Sequence, residues 1–167
     1  YVMAHFMRNN NVITRKHIIK IILENEVAEF LCYAADYKEE IEKSIANSMI
    51  YSPWALPSVP EESPTVTEFS LVNEGSVDTI MRLAHDNMAV LNFASYTHPG
   101  GQFLNGSSAQ EESLCHESTL YNVLSEFHEY YKENHNTRHN FMYTNRAIYS
   151  PDVIFMRDEW AVPCGVI

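Results

Sequence analysis

The segment TVTEFSLVNEGSVDTIMRLAHDNMAVLNFA, residues 65–94, decides how the rest of the chain is read. TVTEFSLV (65–72) has the β-branched, alternating character of a strand. From about Ser76 to Asp86, the residues Val77, Ile80, Met81 and Ala84 recur at helical spacing, which predicts a helix with that face inward. MAVLNFA (88–94) is nearly all apolar, the mark of a strand buried on both faces. Strand, helix and strand with short joints make a βαβ unit. The two strands are therefore expected to be parallel, and the class α/β.

Directly after the second strand comes HPGGQFLNGSSAQEE (98–112), at the strand end where open α/β sheets bind ligands. Three of the chain's five glycines fall in this stretch. Pro99 favours a turn, and Gly100 and Gly101 permit positive φ and close approach of another group. Gly106 supplies a second pivot. A glycine turn ahead of the adjacent carboxylates Glu111 and Glu112 fits a plain strand–helix loop, and it fits a loop that faces a ligand. The residues alone leave both open. Beyond the pair, Leu114, Leu120, Tyr121, Leu124 and Phe127 predict a helix to about Tyr131. A polar loop, ENHNTRHN (133–140), precedes strand-like AIYS (147–150) and DVIFMR (152–157). The chain closes on AVPCGVI (161–167), an apolar strand with nothing after it, which reads as a domain cut mid-strand with an unpaired edge.

Toward the N-terminus, Ile19, Ile22, Leu23, Val27, Phe30 and Leu31 predict a helix after Thr14. A second begins near Asp36, where Glu39 could complete a capping box, with Tyr37, Ile41, Ile45 and Met49 along one face. Residues 51–64 hold four prolines and read as a linker. This divides the chain into an N-terminal helical extension and linker (1–64) and an α/β region (65–167), the latter incomplete.

Composition bounds the function. At 167 residues and 46% apolar, the chain can bury a core without metal or disulfide. Its three cysteines, Cys32, Cys115 and Cys164, have no CxxC pairing and fit reduced thiols. No signal-peptide pattern opens the chain, so a cytoplasmic location is expected. The net charge of −11 argues against a groove that tracks nucleic-acid backbone. It leaves room for a diphosphate held by backbone N–H groups.

LNFASYTHPGGQFLNGSSAQEESL (91–114) resembles the signature of the bacterial-type poly(ADP-ribose) glycohydrolases, a family with a macrodomain fold. That pattern runs three glycines, six to eight residues, then Gln-Glu-Glu; here Phe103 to Ala109 separate the turn from Gln110-Glu111-Glu112. The flanks TVTEFSLVNEGSVDTIMRLA and MYTNRAIYSPDVIFMRD are similar too, so the resemblance covers most of Thr14 to Ile167. It implies a macrodomain-like mixed sheet flanked by helices, with an N-terminal helical extension. It also implies hydrolysis of ribose–ribose O-glycosidic bonds without a metal or cofactor. Glu112 matches the catalytic acid, Glu111 the residue that holds the ribose hydroxyls, and Gln110 a residue lining the same cleft. Gly100 and Gly101 match the turn against the terminal ADP-ribose, and Asn92 and Ser95 border the distal ribose. The partners implied are poly(ADP-ribose) or ADP-ribose, together with the missing C-terminal part of the same protein, which carries the diphosphate loop.

Gln102 stands where the family has its third glycine. If that position needs positive φ, a side chain there costs about 1–2 kcal/mol. This motivates an alternative, a non-catalytic ADP-ribose-binding macrodomain. A third reading, from another class, is an interaction protein in which the loop is incidental. Two other groupings carry less chemistry. Cys115 and His116 are adjacent on a helix and point about 100° apart, which does not suit a thiol–imidazole pair. His135 and His139 have metal-ligand spacing but no third ligand nearby.

Overall fold

The computed structural model describes residues 34–54, 66–84, 87–136 and 143–167, with single positions at 25, 28 and 58. The helix expected after Thr14 and most of the proline-rich stretch lie outside the described residues. A 3-10 turn, Ala35–Tyr37, leads into helix α1, Lys38–Asn47. Neither carries a side-chain cap, so the capping box expected at Asp36 and Glu39 is not formed. At Ser48 the backbone becomes extended and enters strand β1, Met49–Tyr51. Met49 thus belongs to a strand and is not a fourth residue on the helical face.

Strand β3, Ala147–Arg157, joins AIYS and DVIFMR into one element. A register shift between Ser150 and Val153 accommodates Pro151 and Asp152, the latter at φ 54°. Ser44 of α1 reaches this bulge, its hydroxyl donating to the Pro151 carbonyl at 2.6 Å. A tight turn at Asp158 and Glu159 returns the chain as β4, Trp160–Val166, antiparallel to β3. The short strand β2, Ala89–Val90, pairs parallel with β4. The sheet order is β1-β3-β4-β2, so the AVPCGVI strand lies inside the sheet and is not an unpaired edge.

Three expectations about 65–94 change. Residues 66–72 join no ladder, and Leu71 is 100% exposed. Strand-like composition needs a partner to become a strand, and among the described residues this segment has none. The βαβ unit is therefore absent, and the parallel pairing of β2 is with β4. Second, β2 and its extension are buried on one face only: Asn92 is buried, whereas Phe93 is 71% exposed. Third, helix α2, Ser76–Leu83, stops before Asp86. Ala84 takes a left-handed conformation at φ 37° and is exposed, so it caps the helix and does not pack inward. Val77 and Ile80 do face the core, as their spacing predicts.

The single long helix expected after the Glu pair is three: α3, Gln110–His116; α4, Leu120–Leu124; and α5, His128–Asn136. The break is a tertiary pairing. Ser118 forms a β-bridge with Phe155, the Thr119 N–H donates to Ile154 O at 2.9 Å, and Met156 N–H donates to Glu117 O at 2.7 Å. Helical hydrogen bonds across 117–119 are exchanged for bonds to β3. Phe103, Leu114, Leu120 and Phe155 are fully buried around this junction. Each contributes on the order of 1.5–3 kcal/mol by burial. The acid-bearing helix α3 is thereby docked on the sheet at its C-terminal end.

Candidate active site

The last rung between β2 and β4 is the Asn92 N–H donating to Ile167 O at 2.7 Å. Past it the chain bends at His98, whose carbonyl accepts from Gly101 N–H at 3.1 Å. Gly100 and Gly101 both sit in the left-handed region, at φ 65° and 58°, as the glycine reading expects. They are needed for space as well. A Cβ on Gly101 would stand 2.5 Å from Glu112 Oε1 and 3.1 Å from Glu111 Oε2, so both carboxylates converge on this backbone. A Cβ on Gly100 would stand 2.8 Å from the Tyr121 ring and 3.3 Å from Cys115 Sγ.

Gln102 does not occupy the left-handed region; its φ is −108°. The strain that motivated a binding-only protein is therefore missing. Its side-chain carbonyl accepts from Asn105 Nδ2 at 2.8 Å, bracing the 3-10 turn Phe103–Asn105. Gly106, at φ 70°, closes that turn. Phe103 is buried edge-on against His116, and His116 Nε2 lies 3.1 Å from Ser107 O. These contacts pin the loop to α3, and they account for His116 without any pairing to Cys115. Cys115 is fully buried, and burial pushes its thiol well above the ordinary range.

Glu111 and Glu112 open α3 at 3% and 6% exposure, although neither is apolar. Each is held by backbone donors. Glu112 Oε1 accepts from the Gln102 N–H at 2.8 Å. Glu111 Oε2 accepts from the Ser95 N–H at 2.7 Å, and its Oε1 receives a longer contact, 3.4 Å, from Asn92 Nδ2. Burial raises the Glu111 pKa, outweighing the hydrogen bonds from Ser95, Asn92 and Gly100 that lower it. Gln110 uses its carboxamide on backbone: Nε2 donates to Leu91 O at 2.9 Å and Oε1 accepts from Phe93 N–H at 2.8 Å. Asn92 Oδ1 has no partner among the described residues, and Asn92 and Ser95 line a cavity of about 220 Å³ with Tyr131 and Arg146.

All eight sequence-selected positions thus meet around one strand end: Asn92, Ser95, Gly100, Gly101, Gln102, Gln110, Glu111 and Glu112. Sequence reasoning missed the N–H donors of Ser95 and Gln102, which any residue type but proline supplies. It also missed Tyr121 as the wall behind Gly100, since its spacing signals only packing. Of the His135/His139 pair, only His135 is described, within α5. Among the described residues, no group of three or more His, Cys, Asp or Glu is placed to hold a metal ion. No helix among them is long and apolar enough to cross a membrane.

Comparison with known proteins gives this arrangement a family. No curated protein matches the chain. Among solved structures, the poly(ADP-ribose) glycohydrolase of Thermomonospora curvata is 26% identical, with a TM-score of 0.71, over 86% of this chain and 62% of that one. The Deinococcus radiodurans enzyme, crystallised in complex with ADP-ribose, is 29% identical, with a TM-score of 0.63, over 75% of this chain and 56% of that one. This chain therefore spans about three-fifths of the length of these relatives. The mixed α/β sheet with flanking helices is the architecture they share. Residues 24–158 match the family described as microbial-type PARG, catalytic domain. On that match, which takes in the turn, the Gln-Glu-Glu run and strand β3, the chain belongs to the microbial-type poly(ADP-ribose) glycohydrolase catalytic-domain family.

Proposed function

We propose that this chain, within its full-length protein, hydrolyses the ribose–ribose O-glycosidic bonds of poly(ADP-ribose) and releases ADP-ribose, with Glu112 as general acid and base. The observation that carries the reading is the convergence of two buried carboxylates on Gly101, each held by a backbone N–H. Cleavage of such a bond passes through an oxocarbenium-like centre and requires a proton on the departing oxygen. Glu112 donates that proton, then accepts one from the incoming water, the same carboxyl serving in both directions. Glu111 holds the ribose hydroxyls. Its Oε1 receives the long 3.4 Å contact from Asn92, weaker than the 2.7 Å bond from Ser95 at Oε2, and is the oxygen assigned to the ribose. Asn92 and Ser95 border the distal ribose, and the unpartnered Asn92 Oδ1 offers a second acceptor there. Gly100 and Gly101 present bare backbone to the terminal ADP-ribose. No metal or cofactor is required, since a carboxyl supplies the proton.

The ligand class rests on the Deinococcus relative, whose structure holds ADP-ribose. Residues 65–167 form the catalytic region in this reading, with α1 and β1 of the 1–64 segment buttressing β3. The setting is cytoplasmic. Hydrolysis of labelled poly(ADP-ribose) by the full-length protein, alongside a calorimetric titration with ADP-ribose, tests the proposal. Turnover with binding supports it; binding without turnover would make the protein a reader of ADP-ribose, and neither would leave the loop incidental.

A further inference from the structure

We propose that Gln110 is a positioning residue whose carboxamide acts as a one-residue surrogate strand along the side of β2 and its extension that faces away from β4. There it sets the first turn of α3, and with it Glu111 and Glu112. The inference rests on the function proposed above for those carboxylates, and it goes beyond that function in giving Gln110 a role other than contact with the ligand.

One side of β2 and its extension is already paired with β4. Val90 O accepts from Ile167 N–H at 3.0 Å, and Asn92 N–H donates to Ile167 O at 2.7 Å, so the even-numbered residues face β4. Strand geometry then turns Leu91 O and Phe93 N–H to the opposite side, where no strand among the described residues pairs with β2. An edge of this kind exposes a row of unpaired donors and acceptors. Gln110 meets two of them: its Nε2 donates to Leu91 O at 2.9 Å and its Oε1 accepts from Phe93 N–H at 2.8 Å. One residue bonded between the carbonyl of one neighbour and the N–H two positions on is the pattern of a parallel ladder. The next N–H in that row, Ser95, is taken by Glu111 Oε2 at 2.7 Å. Side chains of consecutive residues, 110 and 111, thus read successive rungs of one strand edge. The first turn of α3 has no side-chain N-cap of its own, so these bonds supply its alignment.

A carboxamide is the side chain that can do this at the right length, because it carries donor and acceptor as a peptide group does. Glutamate keeps the length and the acceptor but, ionised, sets a second oxygen against Leu91 O. Protonated, it regains a donor.

The test uses the full-length protein with Gln110→Ala and Gln110→Glu. Amide hydrogen exchange at Phe93 should be slow in the parent and fast in Gln110→Ala. Turnover of labelled poly(ADP-ribose) by Gln110→Ala should fall on the order of 10–100-fold in kcat, the scale of a small misplacement of a reacting group, with KM nearly unchanged. The deficit of Gln110→Glu relative to the parent should shrink as the medium is taken from about pH 8 to about pH 5, toward the carboxyl range. A raised KM with intact kcat would make Gln110 a ligand contact and overturn the proposal. So would equal protection of the Phe93 amide in parent and variant, or a lower melting point with unchanged kcat. A parent with no turnover would sink the proposed hydrolysis instead, and exchange at Phe93 and Ser95 would still decide the positioning claim.

Discussion

The Gln102 N–H donates to Glu112 Oε1 at 2.8 Å across ten residues of chain, and it does so because Gly101 between them has no side chain. The turn and the acid are one unit: the left-handed pair at 100 and 101 aims the next N–H at the carboxylate. A residue one atom larger at 101 would occupy the place where the carboxylate sits.

Gly101→Ala is therefore expected to damage the site more than the fold. The left-handed backbone with a Cβ costs about 1–2 kcal/mol. The contact at 2.5 Å must also push Glu112 away from Gln102. Thermal melting should show a modest loss, while hydrolysis by the full-length protein should drop by about 100-fold or more, as expected when a reacting group is misplaced. Parental turnover in this variant would show that the Glu112 position tolerates displacement.

Glu111→Gln is expected to stabilise the protein at neutral pH while impairing substrate engagement. Burial raises the Glu111 pKa above its ordinary 4.5. A carboxyl raised on folding contributes stability that is fully present below the unfolded value and is lost as pH rises through the folded one. At about pH 7 the charged form is buried at a cost, and an uncharged amide avoids it. The melting temperature of Glu111→Gln should exceed the parent's at about pH 7, and the gap should close toward about pH 4. A gap that widens on acidification would reverse the assignment.

Gln102→Gly should bring no gain in ADP-ribose affinity. The position is already relaxed at φ −108°, so glycine relieves nothing. It removes the hydrogen bond to Asn105 and adds unfolded-state freedom, a loss of roughly 0.5–1 kcal/mol. Calorimetry should find affinity unchanged or weaker. A tighter complex would mean that the glutamine side chain obstructs the cleft.

These cases show what a sequence can reveal here. Gly100 and Gly101 were legible because few residue types tolerate their conformation, and Val77 and Ile80 because a helix repeats its face. The strand expected at 65–72 failed because pairing depends on a neighbour, which composition does not encode. The helix expected from the Glu pair to Tyr131 failed for the converse reason. Glu117–Thr119 is helix-compatible locally, but two of its backbone groups, the Glu117 carbonyl and the Thr119 N–H, find better partners on β3. At the site the side chains were readable, whereas the donors from Ser95 and Gln102 were not, because every residue type but proline has an N–H. The Gln102 departure looked costly only while its backbone angle was assumed to match its glycine neighbours.

The most direct measurement is hydrolysis of labelled poly(ADP-ribose) by full-length Glu112→Gln, paired with calorimetric ADP-ribose binding by the same variant. The amide keeps the shape and can still accept from the Gln102 N–H, but it cannot deliver a proton to the departing ribose oxygen. Loss of general acid–base catalysis lowers the rate by about 10²–10⁴. Turnover should fall by that factor with affinity within about threefold of the parent, since binding does not depend on the proton. Turnover above half the parental rate would contradict the role assigned to Glu112.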